Sequence, residues 1–268
     1  MSTKVDVPLH LYIRDFLKLV GKGAIIYELV ELRKRMLKVR SQFLHVKSVN
    51  LRSRIDGPLV SVIVPTRNEE KYLPKLLLSL KMQLYDNIEV IVVDYMSTDR
   101  TVDIAKAFGA KVINVTKPGV GYANHIGVIF SNGEIIIKTD ADVIFPPMLI
   151  YRTVKKMLEN PHIKVYHVSH LYIDGTLIEN LMAQLFDKYW RKPWNTTGVY
   201  IAFKREIYDK VQFDTDAKVG EDDWRFGKKA YMVLGHKSIY YDYNNIVLVS
   251  SRRIRKSGLI NYMLGYRY

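Results

Sequence analysis

Short apolar runs alternate with amphipathic segments through the middle of the chain. Runs rich in Val and Ile predict strands, and segments with helical spacing of their apolar residues predict helices between them. The predicted strands are 58–65, 87–94, 110–115 and 134–140, and the predicted helices are 68–83, 97–109 and 120–133. Uniformly apolar strands separated by helices are typical of parallel sheets that are buried on both faces. The pattern therefore predicts an α/β fold, with a mostly parallel, Rossmann-like sheet and helices on both faces.

A different pattern precedes this region. Residues 9–40 place apolar side chains at helical spacing, their polar positions are mostly Lys and Arg, and Gly21 and Gly23 predict a break between two helices. The segment could pack on the main domain with a solvated charged face, or lie on an anionic bilayer, and both can hold together. Gly57 and Pro58 mark the boundary. We expect a basic helical extension (1–57), a main domain (58–250) and a basic tail (251–268).

Charge and composition limit the function. The net charge is +14, and it is concentrated at the two ends, since residues 1–57 contain 12 Lys and Arg against 5 Asp and Glu. Nucleic-acid binding by these ends is a rival hypothesis. It is disfavoured because the nearly neutral middle contains no zinc-binding spacing and no recognisable nucleic-acid module. The absence of cysteine excludes disulfides, thiolate metal sites and a cysteine nucleophile.

The sequence also bears on location. No run reaches the roughly 18 consecutive apolar residues of a membrane-spanning helix, and the N-terminus lacks the features of a signal peptide. We therefore expect a cytoplasmic protein, with peripheral attachment to the inner face of a membrane as a further hypothesis.

Polar residues follow three of the predicted strands. They are residues 65–69 after the first strand, Asp94 after the second, and Asp140 and Asp142 after the fourth. Ligands of such sheets bind beyond the carboxyl ends of the strands, so these residues should meet at one edge. Two aspartates one residue apart in an extended segment point to the same side, and carboxylate oxygens suit Mg²⁺ or Mn²⁺ on a diphosphate. Alternatively, one or both acids cap the helix that follows.

Five segments together resemble a known family. They are "VSVIVPTRNEEKYLPKLLLSL", "IEVIVVDYMSTDRTVDIAKAFGAKV", "EIIIKTDADV", "TTGVYIAFKREIYDKVQFD" and "VGEDDWRFGKKA". In this order and spacing the chain is similar to family 2 of the glycosyltransferases, which adopt the GT-A fold. The resemblance covers residues 58–250 and implies a nucleotide-binding half (58–145) and an acceptor half (146–250). It implies metal-dependent, inverting transfer of a sugar from a nucleoside diphosphate to a glycan, lipid-linked or protein acceptor.

The resemblance also assigns site residues. In the acceptor half, it implies that Asp222 is the general base, with Glu221 beside it, although an acid in the first turn of a helix is the alternative. Asp142 would bind Mn²⁺ or Mg²⁺. The residues expected to bind the nucleotide sugar are Pro65, Thr66, Arg67, Glu69, Asp94 and Asp140. Asp94 would bind the base, unless it only caps the next helix.

The basic tail and the departures from the family leave further alternatives. Arg252 or Arg253 could bind the donor diphosphate, because a guanidinium matches phosphate oxygens, or the tail could bind acidic lipid. Many relatives have Arg-Asn where this chain has Asn124 and His125, and we expect His125 to be a packing or surface residue. A sugar nucleotidyltransferase is the second rival, but residues 62–70 lack the glycine-rich loop that such enzymes usually carry.

Overall fold

The computed structural model describes residues 9–45, 57–189, 191–217 and 219–257. The outermost tail and most of the link after the first helix, both parts of the predicted basic ends, lie outside these ranges. The α-helices are α1 (Leu9–His45), α2 (Leu73–Lys81), α3 (Thr101–Ala107), α4 (Val120–Ile129), α5 (Leu149–Glu159), α6 (Leu177–Tyr189), α7 (Asp222–Leu234) and α8 (Arg252–Ser257). The strands are β1 (Val60–Thr66), β2 (Ile88–Tyr95), β3 (Lys111–Val115), β4 (Ile135–Lys138), β5 (Val143–Ile144), β6 (Val165–Tyr172), β7 (Ile201–Lys204) and β8 (Ile239–Val249).

The strands of the described residues form one mixed sheet. Its eight strands follow the order β3-β2-β1-β4-β7-β6-β8-β5. The first four strands of this order are mutually parallel, as predicted, whereas β7 pairs antiparallel with both β4 and β6. Strand β8 is parallel to β6, and the two-residue β5 is antiparallel to β8. The α/β architecture with a mostly parallel sheet is confirmed.

Both faces of the sheet are buried, which explains the uniformly apolar strands. Side chains alternate along a strand, so Val62 of β1 faces one core and Ile63 faces the other. The first core is closed by α2 and α5, and the second by α4 and α7. Because neither face meets water, these strands read as continuous runs of Val and Ile.

The N-terminal segment forms one helix, so the prediction of two helices was wrong. Helix α1 runs from Leu9 to His45 without a break at Gly21 or Gly23. A glycine inside a helix costs about 1 kcal/mol relative to alanine, which good helix formers on both sides can offset. Leu32 and Val39 of α1 are buried against Leu171 and Ile246. The helix therefore packs on the main domain, which is the first of the two alternatives given for this segment.

The carboxyl ends of β1, β2 and β4 meet at one edge of the sheet. Thr66 at the end of β1 is in register with Asp94 near the end of β2, and β4 lies on the other side of β1. The pairing of β5 with β8 then brings the start of α8 to the same edge, where the Ser250 backbone N–H donates to the Asp142 carbonyl at 3.1 Å. Residues far apart in sequence therefore surround one site.

Candidate active site

A cleft of about 620 Å³ lies beyond the carboxyl ends of β1, β2 and β4. Most of the residues that the sequence predicts for nucleotide-sugar binding line it: Pro65, Thr66, Arg67, Glu69, Asp140, Arg252 and Arg253. Tyr95 and Lys117 also line the cleft, and the Arg67 guanidinium lies 4.7 Å from the centre of the Tyr95 ring. The structure therefore brings the predicted polar clusters together at the predicted edge.

Asp94 is the predicted nucleotide ligand that does not line this cleft. Its side chain is buried and accepts hydrogen bonds from the Thr66 hydroxyl at 2.9 Å and the Ser97 hydroxyl at 2.6 Å. It also accepts the Ser97 backbone N–H at 2.9 Å. The carboxylate thus holds the loops after β1 and β2 together, which was the capping alternative. The assignment of Asp94 to the base is not supported by this geometry, and Tyr95 occupies the wall of the cleft instead.

Asp140 and Asp142 follow β4, which ends at Lys138, and residues 141–142 form a turn. Asp140 accepts hydrogen bonds from Lys138 at 3.2 Å and from Arg253 at 3.1 Å. Burial alone would raise the pKa of Asp140, but these cations outweigh it and hold the pKa at about 2. The expected extended geometry of the aspartate pair was wrong, although both carboxylates remain at the same edge of the sheet.

The Asp142 carboxylate has one bound and one unsatisfied oxygen. Arg252 Nε donates to Oδ2 at 2.6 Å, whereas Oδ1 is buried without a hydrogen-bond partner. Burial and the nearby Asp140 charge raise the pKa of Asp142 to about 6. An unsatisfied buried carboxylate oxygen fits a divalent cation that takes its other ligands from phosphate and water. No group of three or more His, Asp or Glu arranged to hold a metal occurs among residues 9–45 and 57–257, where described.

A second pocket of about 30 Å³, which is enough for roughly one water molecule, shares a wall with the cleft. Asp140 and Arg253 line both cavities. The second pocket is also lined by Asp142, His170, Asn195, Thr196, Thr197, Gly198, Asp223 and Trp224. The Thr197 hydroxyl is buried there without a hydrogen-bond partner. The two cavities therefore offer adjoining polar sites on either side of one carboxylate and one guanidinium.

The acidic pair at the start of α7 is divided between two environments. Asp222, the predicted general base, is 1% exposed, accepts a hydrogen bond from the Asn124 amide at 2.9 Å and lines neither cavity. Asp223 lines the second pocket, and its Oδ1 accepts a hydrogen bond of 2.6 Å from Lys138. Asp222 as the general base therefore stays a prediction, and the geometry places its neighbour Asp223 on the wall of the second pocket.

Burial and the adjacent Asp222 charge raise the pKa of Asp223 to about 8, although Lys138 acts in the opposite direction. Gly198 lies against this carboxylate, and a Cβ atom at that position would meet Asp223 Oδ2 at 2.4 Å. Only glycine allows the backbone to approach so closely. Thr196, Thr197 and Gly198, which all line the second pocket, therefore shape it around Asp223.

The departures from the family pattern have structural roles. Asn124 is fully buried and orients Asp222, while His125 Nδ1 lies 3.0 Å from the Tyr208 hydroxyl. Burial lowers the pKa of His125, as expected of a packing residue. Sequence reasoning missed Asp223, Lys138 and Tyr95. Each is adjacent to a residue that it selected or lies two positions away.

Comparison with known proteins agrees with this geometry. The family model for glycosyl transferase family 2 matches residues 61–217, which is more than half of the chain. The chain belongs to glycosyl transferase family 2. This confirms the resemblance found in the sequence, and the match lies within the predicted main domain.

Two similar bacterial proteins are named as glycosyltransferases. The chain is 48% identical over 91 residues to 4,4'-diaponeurosporenoate glycosyltransferase of Staphylococcus haemolyticus, covering 31% of this chain and 24% of that protein. It is 26% identical over 226 residues to glycosyltransferase GlyA of Streptococcus pneumoniae, covering 75% of this chain and 31% of that protein. The chain thus spans about a quarter to a third of these two relatives.

Solved structures share the fold. A glucosyl-3-phosphoglycerate synthase from Mycobacterium tuberculosis, in complex with Mn²⁺, UDP-glucose and phosphoglyceric acid, has a TM-score of 0.59 at 23% identity, and the match covers 77% of both chains. TarS of S. aureus, residues 1–349, has a TM-score of 0.56 at 24% identity, covering 72% of this chain and 58% of that chain. The GT-A fold of this family 2 member is confirmed.

Proposed function

We propose that this protein is a metal-dependent, inverting glycosyltransferase that moves a sugar from a nucleoside diphosphate to an acceptor hydroxyl. The observation that carries the proposal is the shared wall of the two cavities, where Asp140 and Arg253 separate a nucleotide-sized cleft from the pocket of Asp223. A donor in the cleft would place its sugar at this wall, and an acceptor would approach from the other side.

The donor cleft has the charges that a nucleoside diphosphate requires. Arg67, Lys117 and Arg253 line it, and guanidinium groups bind phosphate oxygens through parallel hydrogen bonds. Asp142, which lines the adjoining second pocket, would hold Mn²⁺ or Mg²⁺ through Oδ1, and the bound cation would neutralise charge on the departing diphosphate. The similar mycobacterial structure, whose complex contains Mn²⁺ and UDP-glucose, supports this choice of ligands.

Asp223 is the base that fits the acceptor pocket. Its raised pKa of about 8 lies close to the operating pH, which is the favourable range for proton transfer. In its ionised form the carboxylate would take the proton of the acceptor hydroxyl as the new glycosidic bond forms. The bond to the leaving diphosphate breaks on the other face of the sugar, so the configuration at the anomeric carbon inverts. A glycan, a lipid-linked group and a protein are the acceptor classes that we consider.

We further propose a cytoplasmic location with attachment to the inner face of a membrane through α1. No helix among the described residues is long and apolar enough to cross a bilayer. The surface of α1 opposite Leu32 and Val39 exposes four apolar side chains along one line: Ile26, Val30, Leu37 and Leu44. The exposed cations Arg33, Lys34, Lys38 and Arg40 flank this line. An apolar stripe with basic flanks suits an anionic lipid surface.

Vesicle sedimentation tests the attachment. The full chain should sediment with phosphatidylglycerol vesicles at low salt, less at high salt, and little with phosphatidylcholine vesicles. I26S/L37S should lose this binding, whereas L78S, which removes an equally exposed leucine on α2, should retain it. Binding that is indifferent to lipid charge, or a stripe that only dimerises the protein in light scattering, would contradict the proposal.

A thermal-shift screen with donor hydrolysis tests the function. We expect one nucleoside diphosphate to raise the melting temperature, more strongly with Mn²⁺, and the matching nucleotide sugar to release that diphosphate. Release of pyrophosphate from a nucleoside triphosphate would instead favour the nucleotidyltransferase. Tight, salt-sensitive binding of DNA or RNA without any nucleotide effect would favour the nucleic-acid hypothesis.

A further inference from the structure

Lys138 is a buried cation at the centre of the candidate site. It is the last residue of β4, and its side chain is 1% exposed. The ammonium nitrogen donates to Asp223 Oδ1 at 2.6 Å, to Asp140 Oδ1 at 3.2 Å and to the Gly198 carbonyl at 3.3 Å. These three acceptors use all three N–H groups of the ammonium. Lys138 is therefore held in one position by residues that line the two cavities.

The contacts of Lys138 join the donor side to the acceptor side. Asp140 lies in the wall shared by both cavities, whereas Asp223 lines only the acceptor pocket. Lys138 bridges these two carboxylates, which repel each other at short range because they carry like charges. A third carboxylate, Asp222, lies 3.4 Å from the same nitrogen but takes its hydrogen bond from Asn124.

Charge balance alone does not account for this arrangement. One lysine faces three aspartates, and Asp140 also accepts a hydrogen bond from Arg253. Burial would lower the pKa of Lys138, but the three carboxylates outweigh it and raise the pKa. A buried lysine that served only to neutralise a carboxylate would need one such partner. Apolar residues often replace a buried ion pair of that kind without loss of stability. The geometry indicates a role that requires the position of the ammonium as well as its charge.

We propose that Lys138 is a positioning residue that holds the Asp223 carboxylate at the donor wall, so that the base faces the sugar bound beside Asp140. This inference rests on the proposed glycosyltransferase function and deepens it. Lys138 touches neither cavity, so it acts through Asp223 and is not itself a catalytic residue. Its hydrogen bond at Oδ1 leaves Oδ2 of Asp223 for the acceptor hydroxyl.

The matched variants are D222N and K138M/D222N. Removing Lys138 alone would leave buried carboxylates without a cation, and that protein could fail to fold. The double variant removes one positive and one negative charge and keeps the net charge of the wild type. D222N serves as the reference, because the two variants differ only at position 138.

The assay is hydrolysis of the nucleotide sugar that the thermal-shift screen selects, with water as acceptor. Relative to D222N, K138M/D222N should melt at a similar temperature, keep its donor KM within about threefold and lose about 30-fold or more in kcat. The rising limb of its pH profile should move upward by about one unit, because the loss of a cation raises the pKa of a carboxyl group.

The groups that act on Asp223 are Lys138 and Asp140 from the β4 side and Asp222 on its own helix, with His170 and Arg253 across the pocket. Equal kcat and superimposable pH profiles for the two variants would overturn the inference while leaving the proposed function intact. A D222N protein that has already lost hydrolysis would overturn it too, because the base would then be Asp222. If the wild type neither binds a nucleoside diphosphate nor hydrolyses any nucleotide sugar, the proposed function fails and the inference fails with it.

Discussion

Arg252, which lines the donor cleft, forms an ion pair with Asp142, which lines the second pocket, with Nε 2.6 Å from Oδ2. The same guanidinium donates two hydrogen bonds of 2.8 Å to the Glu69 carboxylate and lies 4.3 Å from the centre of the Tyr72 ring. One face of Asp142 is thus held by α8, while Oδ1 stays unsatisfied. The arrangement fixes the direction in which Asp142 can bind a cation.

Replacing Asp142 should abolish the effect of the metal. In D142N we expect Mn²⁺ to add no thermal stabilisation to the nucleoside diphosphate complex, because an amide is a much weaker ligand than a carboxylate. Direct Mn²⁺ binding by electron paramagnetic resonance should fall by at least about tenfold. D103N, at an exposed aspartate of α3, is the control and should bind Mn²⁺ as the wild type does. Unchanged Mn²⁺ binding in D142N would refute the assigned role.

Arg252 should not be replaceable by lysine. R252K keeps the charge, but one ammonium cannot make the bidentate contact with Glu69 and reach Asp142 together. We expect nucleoside diphosphate affinity, measured by calorimetry, to fall by about tenfold in R252K and R252M alike. Wild-type affinity in R252K would show that charge alone suffices there.

The two aspartates at the start of α7 should respond differently to amidation. D223N removes the proposed base and should lower kcat by about 10²- to 10⁴-fold with little change in donor KM. D222N changes a carboxylate outside both cavities and should lose far less. A larger loss in D222N than in D223N would restore the assignment that the family resemblance implies.

The pH profile should report the same base. Because the pKa of Asp223 is raised to about 8 and the base acts when ionised, kcat/KM should rise with pH and level off above about 8. D223N should lack this rise. Nucleoside diphosphate affinity, measured over the same range, serves as the control and should not follow the profile.

Two buried histidines should make stability depend on pH. Burial lowers the pKa of His167 to about 3 and that of His170 to about 4, from an ordinary value of 6.5. Below pH 6.5 the unfolded chain therefore binds protons that the native imidazoles refuse. Each histidine should lower the free energy of unfolding by about 1.4 kcal/mol per pH unit until its folded pKa is reached.

Comparison of the wild type with H167Q isolates this contribution. Asp223, whose pKa is raised, acts in the opposite direction between pH 8 and 4, but it does so in both proteins. Urea unfolding from pH 7 to 4 should therefore show a smaller loss of stability on acidification in H167Q than in the wild type. Parallel curves would contradict the burial of a neutral imidazole at position 167.

Much of the fold can be predicted from the local pattern of apolar residues, whereas the site depends on the direction in which each side chain points. The apolar runs predicted β1 to β4 because both faces of these strands are buried, and the edge of the sheet followed from their carboxyl ends. Asp222 and Asp223 could not be distinguished, because consecutive residues of a helix point about 100° apart and only packing decides which one faces the pocket. Asp94 was placed at the right edge, but its side chain turns into the loops instead of the cleft.

The antiparallel position of β7 between β4 and β6 and the pairing of β8 with β6 could not be predicted from the local sequence pattern either. They bring Arg252 to the donor cleft from 110 residues beyond Asp142 and 183 residues beyond Glu69. No periodicity in sequence encodes such distant pairs.

This separation bears on cooperativity. The nucleotide-binding half cannot complete its own charge pairing, because the guanidinium that satisfies Asp142 and Glu69 is supplied by α8. An isolated fragment ending near residue 145 would retain acidic groups without their counterion, which opposes autonomous folding. We therefore expect the two halves that the sequence suggests to unfold as a single thermodynamic unit. Calorimetry of the intact chain should show one unfolding transition for both of them.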